Sequence, residues 1–247
     1  MVLGRGSGTF FWRRLMDDRF EAVSFENKGD LVYAQLSHAL MQGQLRPQER
    51  LKIRELAARM GTSVTPVRDA ILRLVQEGAL VLISPRDIRV RSLTLPEYLE
   101  IRNIRVELEG MAAAAAVGRA QAQDVEHLQQ LVEQNELAMQ EGRFSQAIGL
   151  NQAFHFEFCR IADMPLLGDI LRRLWLKMGP LIAQQYEEGG RAMIDYHYPV
   201  LEAFRQGDAQ AARAAIQADI LSGGHAILTA KTQAQGRRPK ASALGAQ

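Results

Sequence analysis

Residues 53–78 limit the fold of this chain more than any other segment, because their spacing predicts two short helices joined by a tight turn. Apolar residues recur at helical spacing over residues 53–60, so this segment is predicted to form a helix with one buried face. Gly61 can end that helix in the left-handed conformation that glycine accepts. A second helix is predicted to begin between Ser63 and Pro66 and to end at Gly78, with an apolar stripe of Val67, Ala70, Ile71, Leu74 and Val75. The pair forms a helix-turn-helix pattern, whose second helix fits the DNA major groove.

The flanking segments complete a winged helix. Residues 31–42 are predicted to form a helix that precedes the pair. Residues 80–83 and 88–91 are strand-like, and Ser84-Pro85-Arg86-Asp87 between them has the composition of a turn. We therefore expect a hairpin wing whose tip places Arg86 near the DNA backbone or the minor groove.

Two arginines are candidates for DNA contact. Arg68 faces away from the apolar stripe of the second helix, and Arg54 opens the first helix. Arginine offers paired donors that match guanine O6 and N7, or a phosphate. The alternative is that both are solvated charges on helix surfaces.

The same segment carries a family resemblance. Residues 32–90, which contain VYAQLSHALMQGQLRPQERLKIRELAARMGTSVTPVRDAILRLVQEGAL, resemble the winged-helix domain of the GntR family of bacterial transcription regulators. The resemblance implies that Arg54 and Arg68 contact operator DNA and that Ser63 and Thr65 contact phosphates. Val64 stands where the family often has another base-reading arginine, so the operator preference is expected to differ from the usual one.

The charge is divided between two halves of the chain. Residues 44–95 hold ten Lys or Arg against five acidic residues, and residues 96–230 hold eleven against eighteen, although the net charge is only +2. A basic module suits a polyanion, whereas an acidic module would be repelled by phosphate. We expect the first half to bind DNA and the second half to bind a ligand other than DNA.

Beyond a linker near residues 92–96, the pattern is entirely helical. Six helices are predicted, at residues 96–117, 121–142, 143–163, 165–186, 189–206 and 208–231. The fourth is apolar over most of its circumference and is expected at the centre of an antiparallel bundle. The predicted fold is mainly α, with two domains: a winged helix-turn-helix at 28–92 and a helical effector-binding and dimerisation domain at 93–230. The N-terminal extension at 1–27 is expected to be partly disordered, and the tail at 231–247 is expected to be disordered.

The six-helix part resembles the ligand-sensing domain of the FadR subfamily, in its VanR-like branch. The family's opening motif, an arginine four residues before a glutamate, appears here as Arg105-Val106-Glu107-Leu108-Glu109. In relatives that arginine commonly faces the effector pocket, so the resemblance implies that Arg105 binds a carboxylate effector. On spacing alone, an ion pair between Arg105 and Glu109 is the alternative.

The resemblance also implies a metal site. Many such domains bind a divalent metal through an Asp and a His four residues apart and a His on each of two later helices. The matching positions here are Asn151, His155, His197 and Asp219, of which the first and last depart from the pattern. Two imidazoles, a carboxylate and an amide oxygen can hold Zn, Ni or Mn. A pair of hydrogen-bonded core histidines is the alternative.

Together these features predict a cytoplasmic, homodimeric repressor that leaves an inverted-repeat operator when a small organic acid binds. The lone Cys159 fits a reducing compartment, and no apolar run approaches the length of a membrane span. Two alternatives remain at this stage. One is a metal-dependent helical enzyme with Glu157 or Glu202 as base, and the other is an architectural DNA-binding protein with a tightly packed interior.

Overall fold

The computed structural model of the protein describes residues 28–189 and 193–236, which form nine helices and one small antiparallel sheet. The predicted mainly α fold, with a winged helix-turn-helix followed by a helical bundle, is confirmed. The N-terminal extension at 1–27 and the end of the tail at 237–247 lie outside the described residues.

The first part of the chain is the winged helix. Its elements are α1 (Lys28–Met41), β1 (Arg50–Leu51), α2 (Ile53–Arg59), α3 (Val64–Gln76), β2 (Leu80–Ser84) and β3 (Asp87–Val90). α3 packs on both α1 and α2 and buries Val67, Ala70, Ile71 and Leu74, four of the five apolar-stripe residues named from the sequence. Gly61 adopts a φ of +60° between α2 and α3, which is the left-handed turn expected there.

The sheet forms the wing. Its strand order is β1-β3-β2, and β2 pairs with β3 across a two-residue tip at Pro85 and Arg86. β1 was not predicted, because a two-residue strand has no periodicity of its own. Arg50 on β1 donates from Nη2 to the carbonyl oxygen of Arg86 at 2.8 Å, so the short strand helps to fix the wing tip.

The second part consists of six helices, as predicted. They are α4 (Leu95–Val117), α5 (Ala122–Gln140), α6 (Phe144–Ile161), α7 (Pro165–Gly189), α8 (His197–Gln206) and α9 (Ala209–Gly236). α4 begins with a capping box, in which Thr94 and Glu97 satisfy each other's free backbone amides. α9 packs along α4, and α6 packs against α4, α5 and α7.

Two boundaries differ from the predicted ones. α8 begins at His197 and not at residue 189, because α7 continues to Gly189 and residues 193–196 form tight turns. α9 continues to Gly236, so the six residues after Ala230 are helical and not the disordered tail expected from Lys231 onwards. Alanine-rich and glutamine-rich sequence propagates a helix well once a packed segment has nucleated it.

α7 has the central position predicted for it, but only over part of its length. It contacts α4, α6 and α9 in the bundle and α1 in the winged helix, and it buries Leu171, Trp175, Leu176 and Met178. Leu166 and Ile170 belong to the apolar circumference of this helix but are not buried, since these side chains are 78% and 50% exposed. Leu166 and Ile170 therefore lie on an outer face of the first turns of α7, whose Leu167 is buried.

Among residues 28–189 and 193–236, none of the helices combines the length and the apolar composition required to span a lipid bilayer.

Candidate DNA interface and sensor cavity

An exposed cleft between α2, α3 and the wing brings together the predicted DNA-contact arginines. Arg54, Arg68 and Arg86 all line it, together with Arg50 and Lys52. Arg54, Arg68 and Arg86 are exposed, so their guanidinium groups are available to a ligand. A cleft that gathers cations from three elements matches the electrostatic requirements of a nucleic-acid backbone.

Ser63 and Thr65 lie at the start of α3, beside this cleft. Ser63 is the N-cap residue, but its side chain makes no capping hydrogen bond, and both residues are exposed. The first amides of a helix and a nearby hydroxyl form a favourable environment for a phosphate. Val64, which stands in place of a base-reading arginine, lines the cleft itself.

A cavity of about 40 Å³ lies in the bundle between α4, α6, α7 and α9. Three of its lining residues come from α4 and two each from α6 and α7. The lining consists of Tyr98, Arg102, Arg105, Asn151, His155, Met178, Ile182, Met193, Asp219, Ile220 and Gly223. This volume has room for about three water molecules, or for a small anion of similar size.

Glu109 connects three side chains beside the cavity. Its Oε1 accepts from Arg105 Nε at 2.6 Å and from Trp175 Nε1 at 3.1 Å, and its Oε2 lies 2.6 Å from His155 Nδ1. Glu109 is fully buried and Arg105 is 5% exposed. The guanidinium of Arg105 also lies over the Trp175 ring, with Cζ 4.3 Å from the centroid. Arg105 therefore lines the cavity as expected, yet it also forms the ion pair that spacing left as the alternative.

Burial and charge oppose each other in this cluster. Burial raises the pKa of Glu109, but Arg105 and His155 outweigh it and bring that pKa to about 2. Burial lowers the pKa of His155, but Glu109 and Asp219 outweigh it and raise that pKa to about 9. We infer a charged hydrogen-bonded chain in which His155 donates to both carboxylates.

Three predicted metal ligands lie close together, and two of them, His155 and Asp219, line the cavity. Asp219 lies between two imidazoles, with Oδ2 3.3 Å from His155 Nε2 and Oδ1 3.6 Å from His197 Nε2. One ligand atom from each of the three residues lies within 4.8 Å of the others. Asn151, the fourth predicted ligand, lines the same cavity.

The environment of His197 indicates that this set can accept a metal. The His197 side chain is fully buried, and neither of its ring nitrogens has a hydrogen-bond partner among the described residues. Burial lowers its pKa to about 4, so the ring is neutral and keeps a lone pair for a metal. Ligand atoms in a tetrahedral site are about 3.4 Å apart for metal–ligand bonds of about 2.1 Å, so atoms now within 4.8 Å of one another would move closer by at most about 1.4 Å.

Comparison with known proteins identifies both parts of the chain. Residues 28–109 match the bacterial regulatory proteins of the gntR family, and residues 100–221 match the FCD domain. The HTH-type transcriptional regulator McbR of Escherichia coli (strain K12) is 35% identical over 197 residues, which cover 78% of this chain and 89% of that protein.

The chain belongs to the GntR family.

Further relatives support the assignment. The solved structure of E. coli McbR/YncC has a TM-score of 0.76 to this chain at 33% identity and covers 85% of this chain and 100% of that one. The HTH-type transcriptional repressor GlaR of Escherichia coli (strain K12) is 30% identical over 87 residues, which cover 35% of this chain and 40% of that protein. As a GntR-family member with an FCD domain, the protein is a DNA-binding transcription regulator.

Two residues that line the cavity, Tyr98 and Arg102, were not predicted. Glu109 was named only as an ion-pair partner of Arg105, whereas it also accepts a hydrogen bond from Trp175 and contacts His155. The spacing from Tyr98 to Glu109 through the two arginines is four, three and four residues, which places all four side chains on one face of α4. That spacing was a usable signal, but it does not show which face meets the cavity.

The two acids proposed as bases for a metal-dependent enzyme lie elsewhere. Glu157 accepts from Arg160 Nε at 2.7 Å, and Glu202 accepts from Gln206 at 2.7 Å on an exposed surface. Neither lines the cavity. The architectural alternative required a bundle without a pocket, and the cavity is inconsistent with that requirement.

Proposed function

We propose that this GntR-family regulator is a homodimeric repressor that binds an inverted-repeat operator and releases it when a small carboxylate occupies the bundle cavity. The observation that carries the proposal is the cleft in which Arg54, Arg68 and Arg86 converge from α2, α3 and the wing. The protein would act in the cytoplasm, where it meets its DNA.

Each DNA-contact residue has a separate proposed role. Arg68 on α3 reads a base edge in the major groove, because the second helix of this motif enters that groove. Arg54 and Arg86 contact the DNA backbone on either side of Arg68. Ser63 and Thr65 bind phosphate at the start of α3, where the backbone amides favour an anion.

A homodimer is proposed because a twofold protein matches a twofold operator. The helical part would form the contact between subunits. Leu166 and Ile170 lie one turn apart on α7 and are both large, apolar and exposed, so this strip is a candidate subunit contact.

The cavity is the proposed sensor. Its arginines favour an anion, and its volume favours a small organic acid. His155, His197, Asp219 and Asn151 would hold a divalent metal, with Zn, Ni and Mn as candidates. A bound metal would supply a positive charge beside the anion, and its binding would release the proton from His155 Nε2.

The test measures DNA binding and oligomeric state on the full chain. Light scattering gives the mass, and gel shifts with the duplex upstream of its own gene give affinity at low and moderate salt. We expect a dimer that binds this duplex and loses affinity as salt rises. A Leu166→Glu variant tests the α7 strip, and elemental analysis of the purified protein tests the metal. Failure of the protein to bind this duplex at low salt would overturn the proposal.

A further inference from the structure

Arg102 presents an unsatisfied donor at the sensor cavity. Its side chain lines the cavity, and its Nε is buried without a hydrogen-bond partner among the described residues. A buried donor without a partner is costly, and a charged one more so. An anion bound at Nε would remove this cost.

Arg105, the other arginine of the cavity, is already neutralised. Glu109 accepts from its Nε at 2.6 Å and from its Nη2 at 3.4 Å, and the guanidinium lies over Trp175. A carboxylate ligand would have to compete for Arg105 with the buried carboxylate of Glu109, which is also held in place by hydrogen bonds to His155 and Trp175. Arg105 is therefore poorly suited to be the first contact for an effector.

The positions of the two arginines on α4 agree with this distinction. Tyr98, Arg102, Arg105 and Glu109 share one face of the helix, and Arg105 and Glu109 are the deeply buried pair. Arg102 is only half-buried, so it lies closer to solvent. An anion entering the cavity meets Arg102 before it can reach Arg105.

The partners of the charged groups single out Arg102. Glu109 is paired with Arg105, and Asp219 lies between the two imidazoles. Arg102 has the neutral ring of Tyr98 beside it, with Cζ 6.0 Å from the ring centroid. Among the described residues that line the cavity, Arg102 is therefore the arginine without a carboxylate partner.

We propose that Arg102 binds the carboxylate of the effector, and that Arg105 is a positioning residue that holds Glu109 against His155. This assignment rests on the proposed sensor function of the cavity. The cavity volume limits the part of the ligand that enters it to roughly four heavy atoms, such as an acetate unit.

The experiment measures binding of acetate to the full chain by calorimetry, with acetamide as its neutral counterpart of similar size. Wild-type protein is expected to bind acetate and not acetamide. Arg102→Gln should weaken acetate binding about tenfold or more, because a charge-assisted hydrogen bond is lost, and Arg102→Lys should recover part of it. Arg119→Gln removes an arginine outside the cavity and should leave binding unchanged.

A second readout separates ligand binding from folding. Arg102→Gln should keep or raise the wild-type melting temperature, because a buried charged donor without a partner is removed. Arg105→Gln should lower it, because Glu109 then keeps a buried charge without its partner.

The outcomes are distinct. Absence of acetate binding in wild-type protein, equal binding of acetamide, or unchanged binding in Arg102→Gln would each overturn the assignment. Gel shifts on the same samples, with the duplex upstream of its own gene, test the repressor function separately. Loss of DNA binding in wild-type protein would contradict that function and would leave the acetate result standing.

Discussion

Arg68 is the side chain whose replacement tests DNA reading most directly. It is exposed on α3 and lines the basic cleft. Arg68→Ala should cost about 1–3 kcal/mol of operator binding and relax the preference at one base position, because a bidentate contact to guanine is lost. Fluorescence anisotropy with the operator and with single-base variants measures both effects.

Lys52 provides the matched control for Arg68. It lines the same cleft, and its Nζ lies 2.7 Å from Oε1 of Glu55 in the first turn of α2. Lys52→Ala should weaken binding to all duplexes alike and lower the salt dependence, as expected for a phosphate contact. If Arg68→Ala left operator affinity unchanged, α3 would not be the reading helix.

His197 distinguishes a metal site from a histidine core. Its ring lies 4.4 Å from the ring of Phe154 between centroids, and both of its nitrogens lack partners among the described residues. His197→Phe removes both unsatisfied polar atoms and replaces the imidazole with a somewhat larger apolar ring. We expect it to abolish the rise in melting temperature that wild-type protein shows on addition of Zn, Ni or Mn, because a ligand is lost.

The metal-free proteins provide the control for this substitution. Without metal, His197→Phe should be as stable as wild-type protein or more stable, since a buried unpaired polar group has been removed. If the variant still showed the full metal-induced rise, His197 would be a core residue and the ligand set would need another member.

Single residues also show how far the sequence could predict the site. Spacing indicated that Arg105 and Glu109 lie one turn apart on α4, and the structure shows them in contact. Spacing cannot show that the Glu109 carboxylate also accepts hydrogen bonds from His155 on α6 and Trp175 on α7, because those contacts arise from the packing of separate helices. For the same reason, the sequence did not single out Arg102.

At the scale of an element, the capping box of α4 predicts a pH dependence. Hydrogen bonds from the backbone and side chain of Thr94 lower the pKa of Glu97 from 4.5 to about 2, and Arg91 adds to this. A carboxyl group with a lower pKa in the folded state stabilises the fold above pH 4.5 and loses that contribution as the pH falls towards 2. Glu97→Gln should cost about 0.5–1 kcal/mol at neutral pH, because the group is partly solvated.

Urea unfolding at several pH values measures this effect. The difference between wild-type protein and Glu97→Gln should shrink steadily below pH 4.5. Glu100→Gln, an exposed substitution one turn along α4, should change the free energy of unfolding little at any pH. A difference that stayed constant with pH would show that the carboxylate charge of Glu97 is not what stabilises the helix start.

Element boundaries were predictable where the sequence has strong local signals. Pro165 and Gly207 mark a helix start and a helix end in both the prediction and the structure. The start of α8 was missed because paired glycines at 189 and 190 look like a complete break, whereas α7 includes the first of them. Strand β1 was missed because it exists only through its pairing with β3.

At the scale of the whole molecule, α7 joins the cavity to the winged helix. Met178 and Ile182 line the cavity, and the same helix packs on α1. Near its start, Arg172 Nη1 donates to the hydroxyl of Tyr33 at 3.0 Å, and that hydroxyl donates to Glu77 at 2.7 Å. Glu77 caps the reading helix α3, so a continuous set of contacts connects the two sites.

Gly179 is a point of close approach between α7 and α1. A Cβ atom there would lie 2.6 Å from the carbonyl oxygen of Leu40 and 2.6 Å from Cα of Met41, both of which are backbone atoms. Gly179→Ala should therefore cost about 1–3 kcal/mol in unfolding free energy through overpacking, and it should alter operator affinity by moving the winged helix.

Gly168→Ala is the control, because its Cβ would make only an ordinary 3.7 Å contact with Cys159. The free energy of unfolding of that variant should rise by about 0.5–1 kcal/mol, because its unfolded chain has less conformational entropy. Equal stability of the two variants in urea unfolding would show that the winged helix and the bundle are not tightly packed along α7.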